Sequence, residues 1–121
     1  MENAETVIEV GTGGVEVLQG EGVLKSSAIG SCVVVLAYCW SRKVGCVAHI
    51  MLSGRAPERG VDEKTKYAEN AIEDLLIKMA KYDVEVCDMD ICLVGGANVL
   101  KRSDDRIAKN NIDFIVEFLR T

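Results

Sequence analysis

From Ser31 to Trp40 the chain reads Ser-Cys-Val-Val-Val-Leu-Ala-Tyr-Cys-Trp, and after the polar Ser41-Arg42-Lys43 it turns apolar again from Val44 to Leu52. No other feature restricts the fold as much. A β-branched run with so few polar positions reads as a strand covered on both faces. Its neighbour across a short polar turn is the natural hairpin partner. The chain must therefore supply further elements on both sides of this hairpin.

The flanks provide them. Thr6–Val10 and Val15–Gln19 read as short strands, separated by the turn Gly11-Thr12-Gly13-Gly14, and Gly20-Glu21-Gly22 is a second turn. Residues 53–61 hold two glycines, two arginines and the only proline, and so form a loop. Tyr67, Ala71, Ile72, Leu75, Leu76 and Met79 then fall at helical spacing, which predicts an amphipathic helix over roughly 63–82. Met89–Val94 reads as a buried strand ending in Gly95-Gly96, and Ile112, Ile115, Val116 and Leu119 form one stripe of a C-terminal helix. A β-rich first half followed by helix, strand and helix predicts mixed α/β layers around one core, a single domain over 1–121. Strands and helices do not alternate from the start, which argues against a doubly wound nucleotide fold.

A net charge of −5 argues against a general nucleic-acid binder. No apolar run is long enough to span a bilayer, so no membrane insertion is expected. The acidic start Met1-Glu2-Asn3-Ala4-Glu5 does not look like a signal peptide, and a cytoplasmic location is expected. The five cysteines, at 32, 39, 46, 87 and 92, are odd in number and form no CxxC, so neither a disulfide framework nor a metal site is expected. No cofactor is implied.

Cys32 enters its strand behind Gly30-Ser31, and His49 is the only histidine. Thiol and imidazole suggest a nucleophile and its base. Counted from a turn at 41–43, the two lie roughly opposite, with a bulge able to correct the register. Backbone N–H groups from Gly30 to Cys32 could face an oxyanion, and Gly95-Gly96 reads as a tight turn bordering the site. A thiol activated by His49 should titrate well below the free-thiol value of about 8.5. Residue types alone leave the plainer reading, a core histidine and a buried thiol, the heavier one. Cys39 and Cys46 have no second histidine to serve them. Cys87 and Cys92 flank the acidic Asp88-Met89-Asp90, which disfavours a thiolate. Lys64-Thr65-Lys66 and Lys101-Arg102 read as solvated charges.

The surrounding segments shift the balance. Ala28-Ile29-Gly30-Ser31-Cys32-Val33, Gly45-Cys46-Val47-Ala48-His49-Ile50-Met51-Leu52, Lys66-Tyr67-Ala68-Glu69-Asn70-Ala71-Ile72 and Val94-Gly95-Gly96-Ala97-Asn98, in that order, resemble the motifs of the CheD family of chemoreceptor glutamine deamidases. Ile107-Ala108-Lys109-Asn110-Asn111 is a weaker fifth match, and the likeness runs from about residue 7 to 119.

The resemblance implies a three-layer α/β/β sandwich similar to the catalytic domain of cytotoxic necrotizing factor toxins. It implies hydrolysis of glutamine side-chain amides on receptor helices, and binding of a CheC-type phosphatase. Cys32 would be the nucleophile and His49 the general base and acid. Ser26 stands where the family has a threonine that orients the histidine, with Ser27 as the fallback. Gly30, Ser31, Gly95 and Gly96 would bind the oxyanion or substrate. Departures from the family pattern fall at Ser53, Val94, Val99 and Ile107–Asn111, none of them the proposed nucleophile or base. Two other classes remain open at this level: a binding regulator of a CheC-type phosphatase or of receptors with little or no catalysis, and a thiol hydrolase for another amide or ester.

Overall fold

The computed structural model describes residues 6–26, 32–58 and 64–95. It is a mixed α/β arrangement. Strands β1 (Val7–Glu9), β2 (Val15–Gln19), β3 (Val23–Lys25), β4 (Val33–Cys39) and β5 (Val44–Ile50) precede helix α1 (Ala68–Ala80) and strand β6 (Asp90–Gly95). β2, β5, β4 and β6 form one antiparallel sheet in that order, while β1 and β3 pair in parallel as a separate ladder. The long central hairpin is β4–β5, as its two apolar runs require. Lys43 takes the left-handed φ of 54° that closes its turn.

Side-chain alternation divides this hairpin between two environments. Val33, Val35, Ala37 and Cys39 of β4 and Val44, Cys46, Ala48 and Ile50 of β5 join the main core, which also holds Ala68, Ala71, Ile72, Leu75 and Met79 of α1. On the opposite face Val34 and Val47 cluster with Val10, and Leu24 and Leu36 pack against them. The helix begins without a side-chain cap. Its first N–H groups are satisfied by the preceding loop instead: Ala68 N donates to Leu52 O at 2.8 Å and Glu69 N to Gly54 O at 2.9 Å. Leu75→Ala will therefore open a cavity in the main core and lower stability by about 2–5 kcal/mol, measurable by urea denaturation.

Three expectations change. The stretch after Gly22 holds a strand, β3, that its three residues do not announce. The segment expected as a buried strand at Met89–Val94 is β6, and it is largely exposed, with Val94 at 45 %. The reason is its place at the sheet edge, where it pairs with β4 alone. Finally, β4 and β5 pair without a bulge from Cys39↔Val44 to Val33↔Ile50, so His49 stands opposite Val34 rather than Cys32. The C-terminal helix expectation lies outside the described residues.

Candidate active site

His49 is the penultimate residue of β5 and only 1 % exposed. Alternation places it with Val47 and Val34, on the face turned from α1. Its backbone is clamped from the β2 side: Gly13 N donates to His49 O at 2.8 Å, and His49 N donates to Gly14 O at 2.9 Å. The glycines are needed there. Gly13 has φ 83°, and a Cβ on Gly14 would meet Gly11 O at 2.9 Å. Thr65 secures this turn in its own right, donating its hydroxyl to Gly13 O at 2.6 Å.

The imidazole is held as firmly. Nδ1 lies 3.0 Å from Ser26 Oγ and 3.3 Å from the Val10 carbonyl, and the Ser26 hydroxyl donates to that same carbonyl at 3.0 Å. A carbonyl only accepts, and the Ser26 proton is already spent on it. Nδ1 must then carry the hydrogen, donating to Ser26 Oγ and Val10 O. This assigns the tautomer from the network: in the neutral ring Nε2 bears the lone pair. Nε2 is buried and has no hydrogen-bond partner among the described residues. An imidazole fixed through Nδ1 with Nε2 unspent is equipped, in that tautomer, to take a proton from a neighbouring group.

Cys32 immediately precedes β4 and is partly exposed. It lies two residues before Val34, the residue paired with His49, so the two fall at diagonal positions of the same hairpin end. Burial pushes the Cys32 thiol up from its ordinary range, the reverse of the lowered value expected from sequence. Iodoacetamide alkylation of Cys32 will accordingly accelerate steadily as pH rises past 8.5, with no plateau in the neutral range; a plateau below pH 7 would show a preformed thiolate.

The structure thus brings Ser26 and His49 together. Gly95 ends β6 opposite Val33, with φ 109°, while Gly30, Ser31, Gly96 and the fallback Ser27 lie outside the described residues, as do Val99 and Ile107–Asn111. Cys39 and Cys46 sit in the main core on the α1 face, away from His49. The Val10 carbonyl was missed at the level of sequence, because every residue has one. The Gly11–Gly14 turn was visible as a turn, but its grip on His49 was not.

The sequence matches the family described as CheD chemotactic sensory transduction over residues 51–121. That segment excludes Ser26, Cys32 and His49, so the relatives matter. A Methanococcus maripaludis protein named probable chemoreceptor glutamine deamidase CheD is 36 % identical over 108 residues, covering 82 % of this chain and 68 % of its own. This chain belongs to the CheD family. A Chlorobium luteolum CheD of the same description is 42 % identical over 90 residues, 74 % of this chain. The Thermotoga maritima chemoreceptor glutamine deamidase CheD is 29 % identical over 113 residues, 92 % of this chain and 69 % of that one. That coverage cannot be reached without the CheD segment holding Ser26, Cys32 and His49. The chain spans only 45 % of the Chlorobium protein. Among the described residues no helix is long and apolar enough to cross a membrane.

Proposed function

We propose that this CheD chain is a protein-glutamine deamidase that converts glutamines on chemoreceptor helices to glutamate, working in the cytoplasm without a cofactor. The observation that carries the reading is the fixed tautomer of His49, with Nε2 free at the hairpin end that Cys32 shares. In the first step Nε2 takes the Cys32 proton as Sγ bonds to the glutamine carboxamide carbon. The carbonyl oxygen becomes an oxyanion, held by backbone N–H groups at Gly30–Cys32 and beside Gly95-Gly96. The C–N bond then breaks, the imidazolium returns its proton to the departing nitrogen, and ammonia leaves a thioester. Water, deprotonated by Nε2, attacks the thioester and restores Cys32 with glutamate as product. Ser26 and Val10 steady the ring as it gains and loses charge.

A thiol that is protonated at rest suits this sequence of events: the proton moves as the bond forms, rather than being lost beforehand. The rest of the reading follows the family. The helix, sheet and β1–β3 ladder are the layers of an α/β/β sandwich of the cytotoxic necrotizing factor kind, in one domain, and a CheC-type phosphatase is the partner protein. The second reading, a binding regulator with little catalysis, draws on the same raised Cys32 thiol. Mass spectrometry of a receptor cytoplasmic fragment incubated with the protein separates the two. Deamidation will add about one mass unit at discrete glutamines; a complex that forms with no mass change at any glutamine overturns the enzymatic reading.

A further inference from the structure

Two hollows lie side by side on the sheet face that carries His49. One, about 320 Å³, adjoins Ser26 and Lys25, with buried Val34 as its floor and half-exposed Val23 and Val94 at its rim. The other, about 210 Å³, extends to Tyr38 and Gly45 near the β4–β5 turn. Leu24, Leu36 and Val47 line both, so the two form one apolar trough along β4.

Its far end is prepared for contact. Trp40 is 73 % exposed, yet it is held edge-to-face on Tyr38 at 4.6 Å and donates its indole N–H to Asp90 at 2.8 Å. An exposed tryptophan ordered in this way is a common anchor of protein recognition. Cations stand at both ends: Lys25 lines the trough beside Ser26, and exposed Arg42 and Lys43 form the turn beyond Tyr38. None of the three makes an ion pair among the described residues, although Glu9 stands opposite Lys25 in the ladder. Asp90 on Trp40, Glu9 opposite Lys25, and Glu21 between the lining Gly20 and Gly22 balance these cations, so the trough selects by its apolar lining rather than by net charge.

The dimensions accommodate a helix. A strand advances about 3.3 Å per residue, so Val34 is about 7 Å from Cys32 and Leu36 about 13 Å. A helix rises about 1.5 Å per residue, so side chains four and eight residues from one at Cys32 stand about 6 and about 12 Å along it, within about 1 Å of Val34 and Leu36. Those positions share a helix face.

We infer that this trough is the docking groove for the helix that carries the target glutamine, and that it selects helices with apolar side chains one and two turns to one side of that glutamine. The inference rests on the deamidase reading only for what stands at Cys32; docking in the trough is measurable separately, because Trp40 is the only tryptophan. The full chain carrying Cys32→Ala is titrated, by Trp40 fluorescence, with helical Ala/Glu-rich peptides of about 20 residues. Each has a central glutamine and either leucines four and eight residues before it, leucines four and eight residues after it, or serines at all four places. One leucine peptide will shift Trp40 emission and bind at least about tenfold more tightly than the serine peptide. Val94→Glu, a change at an exposed edge position, will remove that advantage. Equal binding of all three peptides, or a leucine preference untouched by Val94→Glu, overturns the inference. So does ammonia release by the wild-type protein from all three peptides with the same KM, a result that leaves the deamidase reading intact. A Val94-dependent leucine preference without ammonia release supports the trough and removes the deamidase reading.

Discussion

Cys32→Ala will release no ammonia from receptor above background, and His49→Ala will lower the rate by about three orders of magnitude or more. The two losses have different origins. Without Sγ no thioester forms. Without the imidazole, Sγ remains, but its proton has no acceptor. Because burial raises the Cys32 thiol, little thiolate exists at neutral pH to bypass the missing base. The His49→Ala variant should therefore recover activity as pH rises, whereas Cys32→Ala should not. Ser26→Ala belongs between them. It leaves Nδ1 with Val10 O alone, so kcat should fall while KM holds, and Ser26→Thr should restore the rate. Rates of receptor deamidation across pH 6–10 check all three. An active Cys32→Ala variant would end the assignment of the nucleophile, and a His49→Ala profile parallel to wild type would end that of the base.

The second large effect concerns stability in alkali. Cys46 lies in the main core with 1 % exposure, and burial pushes its thiol up to about 12, more than the neighbouring Lys78 ammonium pulls it down. In the unfolded chain the thiol titrates in its ordinary range, near 9. The folded state therefore binds the proton more tightly. The stability this contributes is complete below the unfolded pKa and is lost as pH climbs toward 12, by about 4 kcal/mol in all. Between pH 8 and 10 wild type should lose about 1.4 kcal/mol relative to Cys46→Ala, in which the group is absent. Urea denaturation of both proteins at each pH tests this, because the other titrating groups are common to the two. Parallel losses would mean that Cys46 keeps an ordinary thiol pKa in the fold.

What could be read in advance follows from where the information resides. β4, β5 and α1 were legible because their periodicity is local and their burial strong. β3 was not, since three residues between glycine turns gain their strand character only from the parallel ladder with β1, a non-local pairing. β6 was recognised as a strand, but an apolar run looks alike at a sheet's centre and at its edge. The pairing of His49 with Val34 depends on how the turn closes, and the left-handed Lys43 decides that. Cys32 and His49 stood out by chemistry, and Ser26 through the family resemblance. The Val10 carbonyl, which fixes the tautomer together with Ser26, has no signature in a sequence.

The clamp on His49 has a bearing on the order in which the chain leaves the ribosome. Cys32 and His49 emerge early, but Thr65, which secures the Gly13 carbonyl, and Lys66, whose carbonyl accepts from Met51 and Leu52 N–H, come later. A nascent chain ending before these residues carries the thiol and the imidazole without the latch that closes the glycine turn on the base. Contacts so distant in sequence form late. The backbone clamp around His49 is thus completed only as the residues leading into α1 are added, so His49 takes its final position late in synthesis.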